Sequence, residues 1–294
     1  MTREALLVSH TGKKQNRDTA RAVAADLAAA GIVVRVLADE ADDLAIAGAV
    51  PVSGPDAAAG VELVCALGGD GTLLRAAEVA RPARAPLFGI NLGKVGFLAE
   101  AEIHDLDEAV RELCAQNYTV EERLTLDVTV TENGAVVAES WALNEVTVEK
   151  GDRERMLELL LEVDGQALSR YGCDGVVCAT PTGSTAYAFS AGGPVVWPSV
   201  DALLVVPISA HALFSRALVT APTSTITVAV EPYGPGAVVC ADGRRVFDVA
   251  PGAVATVRRG AQPVRLVRLR PRSFTDRLVA KFELPVNGWR NTNE

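Results

Sequence analysis

The apolar run from Val61 to Leu67 ends on Gly68-Gly69-Asp70-Gly71, and the residues from Thr72 to Ala80 then read as a helix. The chain there spells strand, tight turn, helix. Such a turn aims backbone N–H groups and the positive end of a helix at whatever binds beside it, and anions favour that place. A lone carboxylate would repel phosphates. It makes sense where it meets a hydroxyl or a metal ion, so Asp70 is a candidate for chemistry and not only for capping.

The residues before this turn prepare a sheet for it. Ala5 to Ser9 is a short apolar run, Asn16 to Ala30 is alanine-rich with good helix propensity and ends at Gly31, and Ile32 to Leu37 is continuous and β-branched. That order, β-α-β, opens a parallel sheet covered by helices. Ala38 to Gly60 is acidic and then rich in Ala, Gly and Pro, which suits a short helix and a loop. After the turn, Pro86 to Ile90 is another buried strand. It runs into Asn91-Leu92-Gly93-Lys94-Val95-Gly96-Phe97-Leu98, a second glycine-rich loop at the carboxyl end of a strand. The loop is not a Walker A motif, because Gly89 to Gly93 is one residue short and Val95 follows Lys94. His104 to Gln116 reads as an amphipathic helix with Leu106, Ala109, Val110 and Leu113 on one face.

From about Tyr118 the texture changes to short strands. Leu124 to Val130, the Asn133-Gly134 turn and Ala135 to Ala142 form one hairpin; Leu157 to Val163, Asp164-Gly165 and Gln166 to Tyr171 form another. Leu203 to Ile208, Thr225 to Val230, Ala237 to Cys240, the Asp242-Gly243 turn, Val246 to Val249, Val254 to Val257 and Val264 to Leu269 continue the series. The spacing predicts a mostly antiparallel β-rich domain over 119–272 after an α/β domain over 1–118, with a closing helix in about 273–294 returning to the first domain. A length of 294 residues suits two cores.

A net charge of −9 argues against nucleic acid or an anionic membrane surface as the main partner. Five cysteines, with no Cys-x-x-Cys pair and mostly apolar neighbours, read as buried thiols in a reducing compartment. Ala5 to Val8 is too short for the apolar region of a secretory leader and Lys13-Lys14 follows it rather than preceding it, so the expected location is cytoplasmic. Gly175 to Val200 carries no charge but is loaded with Pro, Gly, Ser and Thr, so it reads as buried loops and a helix around a site rather than a membrane span.

Three further stretches stand out. Asn144-Glu145 puts an amide and an acid inside a strand, as a solvated edge or as ligand contacts. Asp174-Gly175 leads into Thr180-Pro181-Thr182-Gly183-Ser184-Thr185-Ala186-Tyr187-Ala188-Phe189-Ser190, a turn-rich connection or a hydroxyl-lined surface for a polar ligand such as a nucleotide. Ser209-Ala210-His211 holds one of three histidines, but no nucleophile elbow or zinc spacing accompanies it, and no metal ligands are assigned. The arginines from Arg258 to Arg277 read as a solvated sheet face or a subunit contact.

Gly68-Gly69-Asp70-Gly71, Asn91-x-Gly93-x-Val95-Gly96-Phe97-Leu98, Asn144-Glu145, and Asp174-Gly175 with Thr180 to Tyr187 stand in the order and spacing that resemble bacterial NAD kinases over nearly the whole chain. The resemblance implies an N-terminal α/β domain with a Rossmann-like parallel sheet, a mostly antiparallel β-rich C-terminal domain, and NAD in the crevice between them. It also implies homodimers or homotetramers. The implied reaction is Mg²⁺-dependent transfer of the terminal phosphoryl group of ATP to the adenosine 2′-hydroxyl of NAD; some relatives also accept polyphosphate. Asp70 would be the general base, and Gly68, Gly69, Gly71 and Thr72 the loop for the phosphate donor. By position, Asn144, Glu145, Asp174, Thr185, Ala186, Tyr187, Ala188, Phe189 and Ser190 resemble the dinucleotide cradle, and Phe97 the aromatic beside the adenine. Arg75, Arg155, Ser209, His211 and Arg244 fall in segments that contact the ligand in relatives, with Arg244 where some carry Gln. The alternatives are a diacylglycerol-type lipid kinase sharing the glycine-rich turn, which leaves Thr180 to Tyr187 unexplained, and a non-catalytic dinucleotide sensor, which needs no Asp70.

Overall fold

The computed structural model describes residues 2–93, 96–151, 155–269 and 273–286. Lys94 and Val95 of the second glycine-rich loop, Arg270 and Arg272 of the basic run, and the end of the expected closing helix from 287 onward lie outside the described residues. The chain divides into two compact units, Met1–Glu122 with Val264–Glu294, and Arg123–Pro263.

The first unit runs β1 (Arg3–Ser9), α1 (Lys14–Ala29), β2 (Ile32–Leu37), α2 (Ala38–Leu44), β3 (Val50–Val52), β4 (Leu63–Gly68), α3 (Asp70–Ala80) and β5 (Leu87–Asn91). It continues with β6 (Ala101–Glu102), α4 (Leu106–Cys114) and β7 (Thr119–Arg123). Apolar runs without polar alternation become strands buried on both faces, and β4 and β5 are buried at every position. β1 pairs in parallel with β2 on one side and β4 on the other, so the strand order reverses at the β1/β4 boundary. Open parallel sheets place ligands outside the carboxyl ends of the strands at such a reversal. Here those ends are Ser9 and Leu67, paired in register.

The second unit holds β8 (Leu126–Glu132), β9 (Ala135–Ala142), β10 (Glu145–Lys150), β11 (Leu157–Val163), β12 (Gln166–Cys173) and β13 (Gly175–Ala179). A 3₁₀ turn (Thr182–Thr185) and the short helix α5 (Tyr187–Ser190) follow, then β14 (Leu203–Ile208), β15 (Leu218–Thr220), β16 (Ile226–Val230), β17 (Ala237–Ala241), β18 (Arg245–Val249) and β19 (Val254–Arg259). Two antiparallel sheets result, ordered β15-β14-β13-β10-β17-β18 and β12-β11-β16-β19-β8-β9, and one buried cluster draws on both of them. All three dipeptide turns, Asn133-Gly134, Asp164-Gly165 and Asp242-Gly243, place both residues at positive φ, the geometry that joins twisted strands through two residues. The outer face of the first sheet buries Val177, Ala179, Leu204 and Val206 beneath Ala188 and Val196. Gly175 to Val200 is thus a strand, a turn and a short helix, and among the described residues no helix is long and apolar enough to cross a membrane.

The last elements are β20 (Val264–Arg268) and α6 (Phe274–Phe282). β20 corrects the sequence boundary: expected at the end of the β-rich domain, it pairs in parallel with β5 and sits in the first unit. A short alternating strand carries no mark of the sheet it will join, and the partner decides. Ser273 caps α6 by accepting from the Asp276 N–H at 3.0 Å. All five cysteines are free, and burial pushes the Cys65 and Cys178 thiols up to about 12, which leaves them as packing groups.

Candidate active site

On the first unit, helix α3 starts at Asp70 itself, two residues before the expected start, with Gly69 extended in the capping position. A carboxylate on the first helical residue meets the positive end of the helix. Its two oxygens accept from the Phe97 N–H at 3.3 Å and the Leu98 N–H at 3.4 Å. The glycines around it serve different ends. A Cβ on Gly68 would lie 2.3 Å from Thr72 Oγ1, so that position is closed by the fold; at Gly69 and Gly71 a Cβ would meet open space, which leaves room for a ligand. In the second loop, a Cβ on Gly96 would lie 2.3 Å from Asp70 Oδ1.

Two residues expected at the ligand are engaged inside the fold. The Phe97 ring packs against Phe274 and Phe282 at 5.9 and 5.8 Å between centroids. Arg75 forms an ion pair with buried Glu40 at 2.5 Å and donates to Asp39 at 3.3 Å. Glu40 also accepts from the Ser9 N–H at 2.9 Å, which ties the end of β1 to α3. Burial pushes its carboxyl up to about 7, against the pull of Ser9 and Arg75.

On the second unit, Asn144 and Glu145 sit where β9 gives way to β10, and each is only 7% exposed. Asn144 Oδ1 and Glu145 Oε2 have no hydrogen-bond partner among the described residues. Buried acceptors without partners are costly, so a ligand that supplies donors would be bound strongly there. Burial first, then the nearness of Asp242, pushes Glu145 up to about 8. Asp242, which the sequence marks only as a turn residue, holds the pair in place: its carboxylate accepts from the Leu143 N–H at 2.9 Å and the Asn144 N–H at 2.7 Å. Arg245 locks it in turn, donating to Asp242 at 2.8 Å and to the Trp141 carbonyl at 2.7 Å. Apart from the local Arg245–Asp242 pair, these contacts span 98 to 104 residues of sequence, so a local pattern gives no sign of them.

The hydroxyl-rich stretch divides in two. Thr180 Oγ1 donates to the Leu143 carbonyl at 2.6 Å and Ser184 Oγ to the Pro181 carbonyl at 2.7 Å, so both are structural. Ala188 is fully buried against Val177 and Ala179, which makes its side chain packing rather than lining. Thr185 and Ala186 are half-buried, while Tyr187, Phe189 and Ser190 are exposed. The Tyr187 hydroxyl donates to Glu149 at 3.2 Å. Asp174 pairs with Lys150 at 2.5 Å, which draws its carboxyl below the ordinary range. Its backbone N–H donates to Ile208, next to Ser209, which is held at φ 49°, and His211 bridges to Gly172. Asp174, Ser209 and His211 therefore cluster. Arg155 and Arg244 are exposed, Arg155 beside residues outside the described set.

The titration of Glu145 gives a first prediction. Its folded value lies above the ordinary 4.5, so folding favours the protonated form; that contribution is fully present below the ordinary value and is lost as pH rises through about 8. Glu145→Gln, which never ionises, is expected to gain Tm relative to the parent as pH is raised from about 5 to about 9. Thermal melts across that range check it, and a pH-independent Tm difference would contradict it.

Two family models describe this class of two-domain phosphotransferase. The ATP-NAD kinase N-terminal domain matches residues 51–118 and the ATP-NAD kinase C-terminal domain matches residues 143–269. The chain is 56% identical over 291 residues to an NAD kinase 2 of Streptomyces coelicolor, covering 98% of this chain and 97% of that protein. It is likewise 56% identical over 298 residues to an NAD kinase of Thermobifida fusca, covering 98% and 91%. The chain belongs to the NAD kinase family. Among solved structures, yeast NADH kinase complexed with NADH shares the fold at a TM-score of 0.86 and 22% identity, covering 99% of this chain and 89% of that one. An NAD kinase from Archaeoglobus fulgidus in complex with ATP aligns at 0.70 and 26% identity, covering 96% and 98%.

Proposed function

We propose that this protein transfers the terminal phosphoryl group of ATP to the adenosine 2′-hydroxyl of NAD, giving NADP and ADP. The observation that carries the chemistry is Asp70, placed on the first residue of α3 at the strand-order reversal, fixed by two backbone N–H groups and flanked by two glycines with open space before them. In the reaction, Asp70 accepts the proton of the 2′-hydroxyl while that oxygen bonds to the terminal phosphorus and the bond to ADP breaks. Asn144 and Glu145 offer unpartnered buried acceptors to ribose hydroxyls, and protonated Glu145 can also donate. Asp174, Thr185, Ala186, Tyr187, Phe189, Ser190, Ser209 and His211 complete the dinucleotide contacts in this reading.

A divalent ion suits the residues present. The described residues offer no group of three His, Cys, Asp or Glu that could cage one, and Mg²⁺ bound through substrate phosphates and a single carboxylate needs none. The ion would neutralise phosphate charge during transfer. The same proposal includes a cytoplasmic setting, which the five free thiols suit, and a homodimer or homotetramer, which the family resemblance supports.

Incubation of the purified chain with NAD, ATP and Mg²⁺, coupled to an NADP-specific dehydrogenase, is expected to show NADP formation. Folded protein that forms none would refute the proposal.

A further inference from the structure

The closing helix grips the segment that holds the base. Arg277 Nη1 donates to the Phe97 carbonyl at 3.0 Å and also to the Ala99 carbonyl. The N–H groups of the same segment, from Phe97 and Leu98, donate to the two oxygens of Asp70. The Phe97 ring lies against both phenylalanines of α6, which fixes the segment by its side chain as well. Gly96 leaves no slack, since even a methyl group there would collide with the Asp70 carboxylate. Arg277 is itself anchored: its Nη2 donates to Glu100 at 2.8 Å, and that buried carboxylate also accepts from Arg268 Nη1 at 2.8 Å and the Leu269 N–H at 3.2 Å.

We propose that Arg277 is a positioning residue for Asp70, acting through the carbonyl and amide groups of residues 97–99. The proposal rests on the reading of Asp70 as the general base. A half-buried arginine that only held α6 in place would need no bond beyond the one to Glu100. This one spends a nitrogen on two carbonyls of the segment whose opposite side meets the base. Guanidinium geometry suits that task, because it presents several donors in one rigid plane. Displacing a reacting group by about an ångström can cost on the order of a hundredfold in rate.

The test measures kcat and the KM for NAD in Arg277→Gln and Arg277→Lys, alone and combined with Asp70→Asn. Arg277→Gln is expected to lower kcat by roughly 10- to 100-fold with KM for NAD within about twofold of the parent. Arg277→Lys, which keeps the charge beside Glu100 and one donor for a carbonyl, is expected to recover part of that loss. With Asp70 already Asn, Arg277→Gln should cost nothing further, since two residues acting as a unit are not additive. A parental kcat in folded Arg277→Gln, or the same fold-loss in the Asp70→Asn background, overturns the proposal. If Arg277→Gln loses its cooperative melt, Arg277→Lys decides by the same two criteria. Failure of the base itself shows separately, as near-parental turnover of Asp70→Asn alone, and removes both readings.

Discussion

Asp70→Asn is expected to lower turnover by roughly 10² to 10⁴, the usual contribution of a positioned general base. The change is nearly isosteric, so the fold around α3 should survive. It removes the one group in the turn able to take a proton and leaves an amide beside two backbone N–H donors, of which its single oxygen can satisfy one. NAD binding should be largely kept, because the unpartnered acceptors of Asn144 and Glu145 are untouched. Steady-state kinetics with an independent NAD titration checks this; turnover within about tenfold of the parent would remove Asp70 as the base.

The second large effect is expected at Gly183. A Cβ there would stand 2.0 Å from the Asn144 carbonyl oxygen, 2.4 Å from its carbon and 2.7 Å from its Cα. All three atoms are backbone, so no side chain can swing aside. Either the 3₁₀ turn lifts away or Asn144 shifts, and with it go the bonds from the Thr180 N–H to Asn144 and from Thr180 Oγ1 to Leu143. Gly183→Ala should cost about 3 kcal/mol, the upper end for overpacking. For a unit of this size that corresponds to a fall in Tm of about 6 to 12 °C. Protein that still folds should bind NAD at least roughly tenfold more weakly, because Asn144 is the residue displaced. An unchanged melt with unchanged affinity would show that the contact is looser than the structure has it.

Both predictions concern residues visible in the sequence, but for different reasons. Asp70 is legible because the signal is local: an apolar strand, glycines and a helix leave a carboxylate where a helix begins. The three dipeptide hairpins are legible in the same way, since Asn-Gly and Asp-Gly tolerate the positive φ that two-residue turns require. Gly183 is visible only as part of a run of small residues; its need for glycine comes from a backbone that approaches it from Asn144, across the pairing of β10 with β13. Ser184 and Thr180 look like ligand hydroxyls in the sequence and turn out to be bonded internally. The basic run from Arg258 to Arg277 reads as one face and is dispersed: Arg259 pairs with Asp201 in the second unit, while Arg268 and Arg277 converge on Glu100 in the first.

The sequence by itself determined most of the strands and helices, the dipeptide turns, the acid in the glycine-rich turn and the pairing of Asn144 with Glu145, because each depends on residues within about a turn of one another; it did not show β3 in the stretch read as a short helix and a loop, or the buried strand β13 in the stretch read as loops and a helix. Only the tertiary structure decided what holds them. Asp242 reaches the Asn144 backbone, Glu40 joins Ser9 to Arg75, and Arg277 grips the segment that carries the amides facing Asp70. Each of these is a contact between distant parts of the chain. Its partners become neighbours only once the sheets have formed, and no spacing along the sequence encodes that distance.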